Sequence, residues 1–321
     1  MQFTREVYVR VRFAVFLGWF ALVTPLAAQQ APTGQLIVFN AGSLARPFSE
    51  LLRAFKAKYP DVVPAQENSG SLEAARKLTD LGKIPDVLGV ADYGVIPKLL
   101  IPAHTTWYAT FARNAMVLIH TDQSVGAREI NGRNWWQVLL RPGVRAGHSD
   151  PALDPNGYRT LMVFQLAEKF YHQPGLASRL ERAHPPRYIR PKEADLTALV
   201  QAGELDYSWS YASIAKTAGL PYVQLPPEID LSDPNRAAWY SQAKVRLPGA
   251  NRVAGDSVEF QGEPIVYGLT IPAAAPHPQT AIAFVRFVFS PEGQAILKAN
   301  GFIVLPKPVV GGPGKPPAGL F

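Results

Sequence analysis

Residues 36–59 read LIVFNAGSLARPFSELLRAFKAKY, and this stretch decides the fold class. Leu36-Ile37-Val38-Phe39 is an unbroken apolar run, the pattern of a strand covered on both faces. Asn40-Ala41-Gly42-Ser43 is a short loop of small and polar residues. From 47 to 59 the apolar residues Phe48, Leu51, Leu52 and Phe55 recur three and four apart, which makes one face of an amphipathic helix. A buried strand, a tight loop and such a helix, in that order, begin an α/β fold.

Outward from this unit the pattern repeats. Residues 62–66 are extended, Asn68-Ser69-Gly70-Ser71 is a second small polar loop, 72–81 are helical and 87–90 form another apolar strand. This alternation predicts a mostly parallel sheet with helices on both faces. After the apolar strand 115–119 come Trp135-Trp136, helices at 158–171 and 194–202, and strands at 207–209 and 222–225. Leu225-Pro226-Pro227 marks a crossing, 265–271 is one more strand, and helices at 277–289 and 291–300 follow, the last closed by Gly301 in the C-terminal cap position.

The expected architecture is therefore α/β with two lobes, each a mixed sheet flanked by helices. Residues 32–115 and 226–305 make one lobe, discontinuous in sequence, and 116–225 the other, with crossings near Arg113 and Leu225. The Pro/Gly-rich tail 306–321 is expected to be loosely ordered.

Composition narrows the function. The chain has 321 residues, 47% of them hydrophobic, enough for one large or two ordinary cores and too many for a disordered chain. Residues 1–28 have the form of a secretory signal: Arg5, Arg10 and Arg12 precede an apolar stretch over 13–26, and Ala27-Ala28 are the small residues of a cleavage point. That stretch is broken by Pro25 and is shorter than the ~20 residues of a spanning helix. A cleaved, periplasmic protein that is not embedded in the membrane is expected.

There is no cysteine, so disulfides, thiolate metal sites and a lipidated cysteine are excluded. The leader's three arginines against Glu6 carry a net +2, so the formal +7 becomes +5 in the mature chain. This charge is scattered, which speaks against nucleic-acid binding and agrees with mild attraction for anions.

Three loops lead into helices through small polar residues: Asn40 to Ser43, Asn68 to Ser71, and Lys192-Glu193-Ala194-Asp195. A helix start leaves backbone N–H groups unpaired and carries about half a positive charge, so it holds an anion without Lys or Arg. Each serine taken singly also fits an ordinary helix cap. Two such loops after successive strands of one sheet point to the carboxyl edge where α/β folds bind ligands.

Catalytic motifs are lacking. His148-Ser149-Asp150 are neighbours in sequence rather than a triad, no Gly-x-Ser-x-Gly elbow occurs, and the histidines show no metal-ligand spacing. Without a Walker or dinucleotide fingerprint, any ATP use belongs to a partner. The chain is expected not to be an enzyme and to need no cofactor, and a hydrolase is the remote alternative.

The segments Val38-Phe39-Asn40-Ala41-Gly42-Ser43-Leu44, Ser69-Gly70-Ser71, Ala91-Asp92-Tyr93, Phe111 to Leu118, Asp154-Pro155-Asn156-Gly157-Tyr158, Leu225 to Leu231 and Ser290-Pro291-Glu292-Gly293 together resemble the molybdate/tungstate-binding proteins of ABC importers, most closely the tungstate-type branch. The resemblance implies a periplasmic binding protein fold of type II and a tetrahedral oxyanion, tungstate or molybdate, held between the lobes. It also implies an ABC permease with its ATPase as partner, and a monomer.

Carried over by position, Ser43, Ser69, Gly70 and Ser71 supply the donors of one lobe, and Asn156, Leu196, Ser210 and Tyr211 those of the other. In some tungstate-type members two carboxylates approach the metal of the oxyanion. Asp154 matches the first, whereas the position of the second holds Ser210, so four-coordinate binding through the anion's oxygens is expected, with Asp154 as a turn and cap residue at the site and a single contact from its carboxylate to the oxyanion metal as the alternative. Sulfate or phosphate binding, and a module that feeds a sensor, are the alternatives.

Overall fold

The computed structural model describes Gln2 and residues 31–248 and 257–321. The secretory signal expected at residues 1–28 falls outside the described residues. Along the chain the strands are β1 (Gly34–Ala41), β2 (Val62–Ser69), β3 (Val87–Val90), β4 (Tyr108–Arg113), β5 (Met116–His120), β6 (Ala146–Ser149), β7 (Ile189–Arg190), β8 (Tyr207–Tyr211), β9 (Tyr222–Gln224), β10 (Lys244–Pro248), β11 (Ser257–Gln261), β12 (Val266–Thr270), β13 (Ile303–Val304) and β14 (Val310–Gly311).

Twelve of them form two mixed sheets, and β10 and β11 pair with each other as an antiparallel hairpin. The first runs β13-β4-β12-β3-β1-β2, with β14 also paired to β4. Its parallel part is confined to β1, β2 and β3, less than the alternation predicts, because β12, returning from the far end of the chain, inserts antiparallel between β3 and β4. The second runs β7-β6-β8-β5-β9, with β5 antiparallel to both β8 and β9.

Only Asn114-Ala115 separates β4 of the first sheet from β5 of the second. The Asn114 side chain fixes this crossing: its Oδ1 accepts from the Ala115 and Ser213 amides, and its Nδ2 donates to Ser213 Oγ at 2.7 Å. The chain leaves the second sheet after Gln224, next to the proline pair at 226–227.

The core of the first half follows from the amphipathic pattern of residues 47–59. Phe48 and Phe55 on Ala45–Lys58 are fully buried, and both meet Phe284 of the helix Pro278–Phe289, at ring distances of 6.2 and 5.4 Å. Phe48 lies so close to β3 that a Cβ on Gly89 would sit 2.8 Å from its ring, so glycine is what lets this helix seat on the sheet.

In the second half the alternation of Tyr207-Ser208-Trp209-Ser210-Tyr211 puts rings on one face and hydroxyls on the other. Trp209 packs against Trp135 at 5.2 Å and Phe164 at 5.4 Å. Beneath the other face, Val117, Ile119, Leu196, Val200, Leu205 and Ala215 make a smaller apolar cluster.

Two further features depart from what the sequence predicts. The hairpin β10–β11, within 226–305, reaches the helix Pro155–Phe170: Phe260 stacks on Tyr158 at 4.8 Å, and the Gln165 side chain exchanges two 2.9 Å hydrogen bonds with the Lys244 backbone. The tail 306–321 is packed instead of loose. β14 pairs with β4, the Gly314 amide donates to Thr106 O, Arg286 donates to Gly319 O, and Leu320 is buried. Proline and glycine prevent a helix there without preventing an extended segment from adding to an open edge. Among the described residues no helix is long and apolar enough to cross a membrane.

Candidate functional site

The two halves meet where strands give way to helices: of the residues singled out from the sequence, Ser43 lies in the turn after β1, Gly70 and Asp154 are helix caps, Ser69, Ser210 and Tyr211 end strands, and Ser71, Asn156 and Leu196 lie in helices. After β1 the chain makes a tight turn, Gly42–Leu44, and enters the helix Ala45–Lys58. Ser43 is buried there and its Oγ accepts from the Tyr267 hydroxyl at 3.0 Å. Gly42 faces the other half: a Cβ on it would lie 3.7 Å from Lys192 Cβ and 3.9 Å from Ala194 Cβ, ordinary contacts at a helix start.

After β2, Gly70 is the cap residue of the helix Ser71–Leu81. The expected free amides are engaged across the cleft, since Leu72 N and Glu73 N both donate to the carbonyl of Leu153, at 3.1 and 3.2 Å. Gly70 allows this approach, for a Cβ there would stand 2.1 Å from the Leu153 oxygen. Ser69 and Ser71 are buried, and Ser71 Oγ accepts from the Ala91 amide at 2.9 Å, which leaves the hydroxyl's own proton to donate elsewhere.

In the second half Asp154 is the cap of the helix Pro155–Phe170, accepting from the Asn156 amide at 2.8 Å, the role that an Asp-Pro turn suggests. Its other oxygen accepts from the Glu193 amide at 3.3 Å. Burial pushes the Asp154 carboxyl up to about 6, against the pull of the two amides and the Arg159 charge. Asn156 is buried with its Nδ2 unpartnered.

The Ser210 hydroxyl and the Tyr211 amide have their protons engaged within this half, whereas the Tyr211 hydroxyl accepts from Arg159 and keeps its own proton to donate. The Ser210 hydroxyl and the Tyr211 amide both donate to Glu193 Oε1, at 2.6 and 2.7 Å. Glu193 is buried at the first position of the helix Glu193–Gln201, and its Oε2 has no hydrogen-bond partner. Burial, and then the neighbouring Asp154 charge, raise the Glu193 carboxyl well above the ordinary range. Leu196 lies a turn further in, its side chain in the apolar cluster under the second sheet.

Glu193, Arg159 and Asp92 are buried among these residues, a placement that the sequence did not reveal. In sequence Glu193 is only one residue of a helix start. Arg159, 2% exposed, donates to the carbonyl of Ala91 in the first half and to the Tyr211 hydroxyl in the second, at 2.8 and 2.9 Å. Its other terminal nitrogen is 3.5 Å from Asp92. The only local signal for these three was a charged residue within an otherwise apolar or small-residue context, which occurs on any surface helix as well.

His148, Ser149 and Asp150 form no relay. His148 Nδ1 pairs with the Ser149 carbonyl, and Ser149 Oγ with Asn156 at 3.4 Å. Among the described residues no group of three or more acidic, histidine or cysteine side chains is placed to hold a metal ion.

The chain matches the family described as bacterial extracellular solute-binding protein over residues 36–303. It is 48% identical over 290 residues to an uncharacterized solute-binding protein of Petrotoga mobilis, covering 90% of this chain and 89% of the relative. It is 37% identical over 324 residues to the molybdate/tungstate-binding protein WtpA of Pyrococcus abyssi, covering 91% and 92%. Among solved structures, the periplasmic molybdate-binding protein of Azotobacter vinelandii superposes with a TM-score of 0.57 at 19% identity, covering 85% of this chain and 100% of that one. Two mixed sheets joined by short crossings, with a family match that runs through both, mean that the chain belongs to the bacterial extracellular solute-binding proteins and has their two-lobe, type II fold.

Proposed function

We propose that this protein captures tungstate or molybdate between its two lobes and delivers it to an ABC permease driven by a separate ATPase. The observation that carries the reading is the meeting of four loop-to-helix starts, two from each sheet, around buried Ser43, Ser71, Asp154, Asn156 and Glu193. The name of the Pyrococcus abyssi relative points to the same cargo. The lobes are taken as 32–115 with 226–305, and 116–225, moving about the crossings near Arg113 and Leu225. Ser43, Ser69, Gly70 and Ser71 bind from one side, Asp154 and Asn156 from the other, with Ser210 and Tyr211 acting through the carboxylate they hold.

Glu193 changes the expected coordination. It stands beside Asp154 and supplies the carboxylate that the serine at position 210 removes. Two acidic groups repel an anion, unless its central atom accepts further oxygen donors. Tungsten and molybdenum do so and sulfur does not, which favours a metal oxyanion over sulfate. The protein binds and releases, with no catalytic step and no cofactor. It works as a monomer in the periplasm after loss of residues 1–28.

Calorimetric titration of the mature chain with tungstate, molybdate, sulfate and phosphate tests the reading. Tight one-to-one binding of tungstate or molybdate with little response to sulfate is expected. Silence with both, against a clear sulfate or phosphate signal, would overturn the ligand and keep the fold.

A further inference from the structure

Asp92 lies in the loop between β3 and the helix Val95–Leu99, and its Oδ1 accepts from the Gly94 amide at 2.8 Å, which fixes the carboxylate on its own half. Its Oδ2 receives the hydroxyl of Tyr158 and faces the Arg159 guanidinium at 3.5 Å. Tyr158 and Arg159 are consecutive residues on the helix Pro155–Phe170 of the other half, and Arg159 also holds the Ala91 carbonyl. Asp92, Tyr158 and Arg159 are 3%, 1% and 2% exposed.

We infer that Asp92 with the Tyr158–Arg159 pair is a latch that joins the halves over the bound anion and sets how slowly it leaves. Parting the halves would return the carboxylate and the guanidinium to water, so their pairing belongs to the closed arrangement and not to the core of either half. When they meet, both lose water together, and each satisfies the other in a setting where an unpaired charge is strongly disfavoured. Tyr158 is further backed by Phe260, whose face also receives Lys98 at 4.4 Å, so the β10–β11 hairpin covers the latch.

Arg159 connects the latch to the ligand. Its bond to the Tyr211 hydroxyl places it on the residue whose amide holds Glu193. Tyr158, Asp92 and Arg159 are positioning residues. They act on the anion through closure, and so they should change its residence time without changing which anion is preferred.

The inference rests on the proposed function for its ligand readout, and a second readout does not need it. Asp92→Asn keeps the acceptor for Gly94 and removes the charge; Tyr158→Phe removes one hydroxyl. Stopped-flow dissociation of tungstate is expected to be at least tenfold faster in Asp92→Asn and several-fold faster in Tyr158→Phe. The ratio of tungstate to molybdate affinity should stay at the wild-type value, and each variant should unfold in a single cooperative transition. Wild-type dissociation rates in both variants, with tungstate bound, would overturn the latch. If the wild-type chain takes up neither oxyanion, the functional reading falls and small-angle scattering decides. A larger radius of gyration in Asp92→Asn than in wild type, with no anion added, upholds the latch, and equal radii overturn it.

Discussion

The backbone amide of Glu193 donates to Asp154 Oδ2 at 3.3 Å, tying together two helix starts that lie 39 residues apart in the chain. Both side chains are buried carboxyls, and the Asp154 charge adds to the burial that raises Glu193. A pair of this kind at an anion site is useful only if the ligand has something to offer an oxygen donor.

Glu193→Gln tests this directly. The amide is nearly isosteric and its oxygen still accepts from Ser210 and Tyr211. Tungstate and molybdate affinity should fall at least tenfold, about 1.4 kcal/mol, while any sulfate binding holds or improves as repulsion is removed. Calorimetry with the three anions gives the ratio; an equal gain for all of them would show Glu193 to be a repelling charge and no more.

Gly70→Ala separates closure from folding. Gly70 has φ −64° and ψ 150°, a conformation alanine adopts freely, so the obstacle is the facing Leu153–Asp154 backbone, whose Leu153 oxygen would lie 2.1 Å and carbonyl carbon 2.7 Å from the new Cβ. The variant should bind at least tenfold more weakly and show only a small change in unfolding midpoint. A large loss of stability with normal affinity would mean that Gly70 serves folding and not closure.

Ser71→Ala and Ser43→Ala should differ in stability. Ser71→Ala leaves the buried Ala91 amide without its acceptor, a loss of about 1–3 kcal/mol in denaturant unfolding. After Ser43→Ala the Tyr267 hydroxyl still accepts from Asn114 Nδ2 at 3.3 Å and, unlike a fixed backbone amide, can rotate the proton that Ser43 accepted, so the loss should be smaller, about 1 kcal/mol. Both variants should bind the anion more weakly, and if both bind as the wild type does, the first-lobe donors lie elsewhere.

His184 makes stability depend on pH. Its Nε2 accepts from Trp209 Nε1 at 3.1 Å, so the proton sits on Nδ1, which donates to the Leu180 carbonyl. Burial, and then the nearby His148, depress the imidazole to about 3, against an ordinary value of 6.5. Between those values the unfolded chain holds a proton that the folded chain refuses, so stability falls with pH by up to about 1.4 kcal/mol per unit. Asp154 acts with the opposite sign, because the folded state keeps its proton up to about 6. The contribution of His184 is therefore read as a difference: urea midpoints from pH 7 to 4 should fall less steeply in His184→Gln than in wild type.

Much of the fold was legible because its cause is local. The apolar strand expected at 87–90 stands at Val87–Val90, and the helix expected at 47–59 at Ala45–Lys58, since an unbroken apolar run and a three-and-four-residue periodicity fix what each segment must bury. Short strands such as Ile189–Arg190 and Ile303–Val304 carried no such signal, being too brief to show a period and formed only because a sheet edge was there to receive them.

The candidate site divides in the same way. Ser43, Gly70 and Ser71 could be singled out because a helix start has a composition of its own, and Asp154 only because its turn resembles one in a known family. Glu193 and Asp92 were not, because a buried acid is written with the same letter as an exposed one.

The sequence by itself determined the strand–loop–helix order, the crossing between β4 and β5, and the small residues that let helix starts approach the other half, all of them consequences of neighbours along the chain. Only the tertiary structure decided that the Leu153 carbonyl would take two of the waiting amides, that Ser210 and Tyr211 would hold Glu193, and that Tyr158 would meet Asp92 across 66 residues of sequence. Those pairings arise because burial strips charges and amides of water, and each must then find a partner wherever folding has brought one within reach.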